Sequence, residues 1–78
     1  MIYTGKVFEK VDSEIANIEV EETAVHKIVS IFVGGVLVVK FPLFKDIDSN
    51  EVALRTGNVV NQTGLVDNPV RIEITETE

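Results

Sequence analysis

Cysteine is absent from this 78-residue sequence, and His26 is its single histidine. A chain without cysteine has no disulfide and no zinc-thiolate site, and one histidine cannot build a histidine-rich metal site within one chain. A domain this small buries only about 60% of the surface that its unfolded chain exposes, so it needs disulfides, a metal or oligomerisation for stability. The sequence therefore predicts a single domain over residues 1–78 that forms a homo-oligomer.

Basic residues are scarce as well. The chain has 7 lysines and arginines against 13 aspartates and glutamates, which gives a net charge of −6. Proteins that bind nucleic-acid backbones use basic surfaces to displace counterions, so direct binding to nucleic acid is not expected. The acidity leaves one alternative open, an acidic inhibitor of viral or mobile-element type that docks on a basic protein acting on nucleic acid.

The sequence also lacks long apolar runs and catalytic signatures. A bilayer-spanning helix needs about 20 apolar residues, and the start MIYTGK has no basic leader before an apolar stretch, so we expect a cytoplasmic protein without membrane contact. No Gly-x-Ser-x-Gly, Gly-x-x-x-x-Gly-Lys or Gly-x-Gly-x-x-Gly pattern occurs. His26 is the only conventional base for a serine or threonine nucleophile. We therefore predict that the protein is not an enzyme and carries no cofactor or metal.

Apolar residues, by contrast, make up 45% of the chain, and valine and isoleucine dominate them, which favours strands. Two apolar runs, IVSIFV (28–33) and VLVVKF (36–41), flank Gly34-Gly35. Such a glycine pair supplies the positive φ angles of a two-residue hairpin turn. Strand alternation then places one apolar set on each face. The two sets are Val29, Ile31, Val33, Val36 and Val38, and Ile28, Phe32, Leu37, Val39 and Phe41.

A hairpin with two apolar faces must be sandwiched between layers, enclosed in a small barrel or buried against another subunit. We therefore predict a mainly β fold, a small antiparallel barrel or sandwich of five to six strands around the Gly-Gly hairpin. The predicted function is a non-enzymatic structural or interaction protein that homo-oligomerises through one hairpin face. The predicted interface residues are Val29, Ile31, Val33, Val36 and Val38.

The remaining segments are assigned from their periodicity. Residues 2–11 read as a first strand, and residues 13–27 favour a strand, with a short helix behind Ser13 as the alternative. Pro42 ends ladder pairing or marks a sheet edge. A polar loop over 45–50 precedes a strand over 51–56, and residues 70–75 alternate as a strand with one buried face.

The spacing of Asp46, Asp48 and Asn50 matches the first three ligand positions of a calcium-binding loop. Glu51 stands where that loop has glycine and Gly57 where it has glutamate, so a solvated turn is favoured.

Polar residues after the strand over 51–56 form the predicted ligand site. The similar starts of Thr56-Gly57 and Thr63-Gly64 predict turns. The alternative function is an oligomer that binds a small anionic ligand such as a nucleotide. Arginines that converge across a subunit boundary, beside the amide-rich loop over 58–68, would clasp this ligand. The predicted ligand-binding residues are Arg55, Asn58, Asn61, Gln62 and Arg71.

Overall fold

The computed structural model describes residues 3–9, 13–64 and 70–76. Its elements are β1 (Tyr3–Phe8), β2 (Glu14–Glu22), β3 (His26–Val33), β4 (Val36–Phe44), α1 (Ser49–Thr63) and β5 (Arg71–Glu76). The strands form one five-stranded sheet in the order β4-β3-β2-β1-β5, and every neighbouring pair is antiparallel. The prediction of a mainly β, antiparallel fold is therefore confirmed. The described sheet is open, and α1 rather than a second sheet covers one of its faces.

The Gly-Gly hairpin joins β3 to β4 as predicted. Gly34 and Gly35 have φ angles of 59° and 81°, and positive values at both positions are the requirement of a type I′ turn. Val33 pairs with Val36, next to the turn. The local turn chemistry of two glycines therefore determined this connection.

A β-bulge at Val38 changes the register beyond the turn. Ile31 pairs with Val39 instead of Val38, and Ser30 pairs with Lys40. Because a shift by one residue moves every following side chain to the opposite face, the predicted faces are wrong from Val39 onward. Val39 and Phe41 pack against the core, whereas the predicted register would have turned Lys40 toward it. The bulge thus keeps a charged side chain out of the core.

Residues 13–27 contain strands rather than the alternative helix. β2 ends at Glu22, and a turn held by Thr23 leads into β3. The Thr23 hydroxyl oxygen accepts a hydrogen bond from the backbone N–H of His26 at 2.9 Å. The preference for a strand here is confirmed.

The helix lies where the sequence predicts a strand and turns. Asp48 caps its N-terminus by accepting a hydrogen bond from the Glu51 N–H at 2.8 Å, and Gly64 ends it with φ 78°. Val52, Thr56 and Val60 follow one another at intervals of four residues and are buried. The strand predicted over 51–56 and the turn at Gly57 are therefore wrong. The aspartate with a glutamate three residues later resembles a capping box and was the missed helix signal.

The core occupies the face of the sheet that α1 covers. Lys27 is also buried on this face, where its Nζ donates hydrogen bonds to the carbonyl oxygens of Lys45 and, at 2.9 Å, Ile47. These bonds hold the loop that precedes α1 against β3. The buried apolar residues are Tyr3, Val7, Ala16, Ile18, Val20, Val29, Ile31, Ile47, Val52 and Val60.

Candidate functional site

The second face of the sheet is left uncovered by the described elements. On β3 and β4 it carries mostly apolar side chains. Leu37 and Phe44 are 48% and 55% exposed, and no described helix or strand packs over them. We call this surface the hairpin patch. Its residues are Ile28, Phe32, Leu37, Pro42 and Phe44.

One row of polar side chains crosses the hairpin patch. Ser30 on β3 pairs with Lys40 on one side and with Glu19 on the other, so the three residues lie side by side on the uncovered face. Glu21 lies on the same face of β2, opposite Ile28. The apolar patch therefore has a cation within it and carboxylates along its β2 border.

The part of the uncovered face formed by β1 and β5 is polar. It contains a shallow depression of about 600 Å³ lined by side chains that include Thr4, Asn17 and Thr75. The Lys6 ammonium lies 3.3 Å from the Glu14 carboxylate. Exposed ion pairs of this kind contribute little to stability, and the depression lies open to solvent.

Arg71 belongs to this polar part of the uncovered face. Its guanidinium stacks 4.3 Å from the centre of the Phe8 ring and pairs with Glu73. Ile72, the next residue of β5, packs against the core on the opposite face. Because side chains alternate along a strand, the sheet lies between Arg71 and the helix.

The other predicted ligand-binding residues lie on α1. The Arg55 Nε donates to the Glu51 carboxylate at 3.3 Å, and Gln62 is exposed. Asn58 and Asn61 line a groove of about 270 Å³ between α1 and β5. Asn58 and Asn61 thus share one groove, whereas Arg55 and Arg71 of one chain lie on opposite sides of the sheet. The predicted clasp joins arginines across a subunit boundary and stays a prediction. The loop over residues 65–69, which completes the predicted site, lies outside the described residues.

The predicted interface set is divided by the structure. Val29 and Ile31 are fully buried in the chain's own core, and Val33 packs against that core, so this face cannot receive a second chain there. This part of the interface prediction is corrected, because the helix that covers these residues was taken for a strand and turns. Val36 and Val38 remain exposed near the hairpin tip, at 63% and 43%.

The hairpin patch contains two residues, Pro42 and Phe44, that the sequence reasoning did not assign to a surface. The signal that could have found them is Lys40. A lysine within an apolar strand marks the solvent face, and counting forward from it in steps of two reaches Pro42 and Phe44.

The described residues hold no group of three or more histidine, cysteine, aspartate or glutamate side chains that could bind a metal ion. In the same part of the chain, α1 is neither long nor apolar enough to cross a membrane. Comparison of the chain with protein-family models, with curated proteins and with solved structures finds no match. The uncovered face is therefore the feature of this chain that bears most directly on its function.

Proposed function

We propose that this chain is a non-enzymatic interaction protein that forms a homo-oligomer through the hairpin patch. The observation that carries the proposal is where the exposed apolar side chains lie. Six large hydrophobic residues are exposed among those described. Leu37 and Phe44 lie in the hairpin patch, Val36 and Val38 lie beside it near the hairpin tip, Val25 lies in the turn before β3, and Leu54 lies on α1. Soluble monomers scatter such residues singly, and a contiguous apolar group marks an interaction surface.

A specific interface requires a certain buried area from each partner. A standard interface buries about 800 Å² on each partner, which is about one sixth of the 4869 Å² of accessible surface in the described structure. The apolar centre of such an interface corresponds to the hairpin patch, and a polar rim corresponds to β2. A second copy is the favoured partner because a chain this small, without cysteine, gains stability from association.

The face of the hairpin is favoured over its edge. β4 is a nine-residue edge strand, and an unprotected edge invites pairing with another strand. β4 contains the Val38 bulge, the outward Lys40 and Pro42, which has no N–H to donate. Each of these features discourages strand addition. The second copy is therefore expected to pack on the face rather than to extend the sheet.

The test is the native mass by size-exclusion chromatography with light scattering, over a range of micromolar concentrations. We expect an assembly of two or more 8.6 kDa chains. Leu37→Lys places a charge in the hairpin patch and is expected to yield monomers. Leu54→Lys is the matched control, because Leu54 is 59% exposed on α1, away from the patch, and this variant is expected to keep the wild-type mass.

Circular dichroism of both variants checks that each remains folded. A wild-type chain that stays monomeric at every concentration would overturn the proposal. Equal loss of mass in the Leu37→Lys and Leu54→Lys variants would also count against it, because the effect would then not depend on the patch.

A further inference from the structure

The row of Lys40, Ser30 and Glu19 points to a specific arrangement of the two copies. We infer that the uncovered faces pack against each other around a two-fold axis that runs along β3, with Lys40 of each copy paired to Glu19 of the other. This inference rests on the proposed homo-oligomer and adds its symmetry and its charge pairs.

Glu19 and Lys40 lie symmetrically on the two sides of β3. β2 and β4 flank β3, and neighbouring strands are about 4.8 Å apart, so Glu19 and Lys40 are equally far from β3 on opposite sides. Consider a two-fold axis that runs parallel to β3, between the two sheets. It places β4 of one copy over β2 of the other and leaves the position of each residue along the strand direction unchanged. Lys40 of one copy then lies over Glu19 of the second copy, and the same contact occurs twice.

Lys40 and Glu19 carry opposite charges on the uncovered face. Among the described residues, neither the Lys40 ammonium nor the Glu19 carboxylate has an ion-pair partner within its own chain. Burying either group at an interface without a partner would be unfavourable, whereas opposite charges across an interface set the register of the two partners. The axis along β3 supplies each group with a partner.

The apolar residues of β3 pack against each other in the same arrangement. Ile28 and Phe32 lie on β3 on either side of Ser30, so the axis brings each of them against its own equivalent in the second copy. Ser30 is small and leaves space in the row where the charged side chains meet. Packed sheets lie about 10 Å apart, a distance that a lysine and a glutamate side chain together can bridge.

Twist does not separate the pairs. Two aligned sheets cross at about 30°. For residues one strand away from the axis, this rotation moves Lys40 relative to Glu19 by about 2.5 Å, which a flexible lysine side chain accommodates.

Two other arrangements of the copies bring like charges together in the row of Lys40, Ser30 and Glu19. An axis across the strands at the level of Ser30 would bring Lys40 against Lys40 of the second copy. Pairing of two β4 edges centred at Lys40 would do the same. Of these three arrangements, the axis along β3 is the one that places unlike charges together in this row.

The experiment is a charge exchange. Lys40→Glu and Glu19→Lys, each as a purified homogeneous sample, are expected to weaken self-association about tenfold or more, because both pairs then become repulsive. An equimolar mixture of the two variants is expected to form a mixed dimer. In that dimer the carboxylate introduced by one variant faces the ammonium introduced by the other, and the unchanged Lys40 and Glu19 face each other.

Native mass spectrometry, with one variant isotopically labelled, measures the mixed species. Lys45→Glu is the control, because Lys45 is exposed in the loop before α1 and its reversal should leave self-association unchanged.

The outcomes separate this inference from the proposed function. A wild-type monomer overturns both. A wild-type dimer that both reversals leave unchanged, or a mixture that forms no mixed dimer, overturns the charge pairing and leaves the homo-oligomer standing. The Lys40→Glu variant could instead form mixed dimers with the wild-type chain in preference to mixed dimers with the Glu19→Lys variant. That result would identify pairing of β4 edges and overturn the arrangement inferred here.

Discussion

Gly57→Ala tests whether residues 49–63 form a helix, because the sign of its effect differs between the two interpretations of this segment. If Gly57 lay in a turn with positive φ, its replacement by alanine would lower the free energy of unfolding of the protein. In the structure, Gly57 lies within α1, and the positive φ angles among the described glycines occur at Gly34, Gly35 and Gly64. Within a helix, alanine is more favourable than glycine by about 0.5–1 kcal/mol.

The surroundings of Gly57 allow the substitution. A Cβ atom built there would lie 3.8 Å from the Ile72 Cγ1 and 3.9 Å from the Val70 Cγ2, which is ordinary van der Waals contact with β5 and the residue before it. The added methyl group therefore needs no movement of its neighbours and buries a little apolar surface. We expect Gly57→Ala to raise the free energy of unfolding by about 0.5–1 kcal/mol and, for a domain of this size, Tm by about 2–8 °C.

Gly5→Ala is the contrasting variant. A Cβ atom at Gly5 would lie 2.5 Å from the backbone carbonyl oxygen of Glu73, on the strand β5 that pairs with β1. A carbonyl within a ladder cannot move alone, so strand β5 must shift. We expect a loss of about 1–3 kcal/mol, in the range of overpacked substitutions.

Both free energies of unfolding are to be measured by urea denaturation followed by circular dichroism. One protein concentration is used for all variants, so that the proposed self-association would contribute equally to each measurement. Destabilisation by Gly57→Ala would refute the helical assignment at this residue. Stabilisation by Gly5→Ala would refute the close approach of β1 and β5.

Two further substitutions test the core beneath α1. The Thr56 hydroxyl is buried and has no hydrogen-bond partner among the described residues, so Thr56→Val should raise the free energy of unfolding by about 1 kcal/mol. A lower urea midpoint in this variant would show that the hydroxyl is hydrogen-bonded. The Lys27 Nζ donates to the carbonyls of Lys45 and Ile47, so Lys27→Met should lower the free energy of unfolding by about 2 kcal/mol or more and speed amide hydrogen exchange at the start of α1. Unchanged exchange there would mean that Lys27 does not hold this loop.

The candidate surface was only partly predictable from sequence. Alternation correctly placed Ile28, Phe32 and Leu37 on one face of the hairpin. Which face would remain uncovered depended on α1, and this helix was missed because Gly57 and the valines around it favour turns and strands when read locally. The charge pairing inferred for Lys40 could not be predicted, since the simple register turned Lys40 toward the opposite face.

Local chemistry explains what the sequence determined by itself. Two adjacent glycines permit positive φ at both turn positions, so the β3–β4 hairpin follows from Gly34 and Gly35 alone. The runs of valine and isoleucine determined the mainly antiparallel β class, and the apolar character of both hairpin faces determined that each needs a cover.

Only the tertiary structure decided which of the two faces α1 covers. The bulge at Val38 places Val39 and Phe41 against the core and keeps Lys40 out of it. Local alternation from the turn leads to the other register, so the core decides between the two. α1 forms because Val52 and Val60 bury one helical stripe against the sheet, which outweighs the weak helix propensity of its residues. Both outcomes depend on contacts between segments distant in sequence, and local patterns do not contain that information.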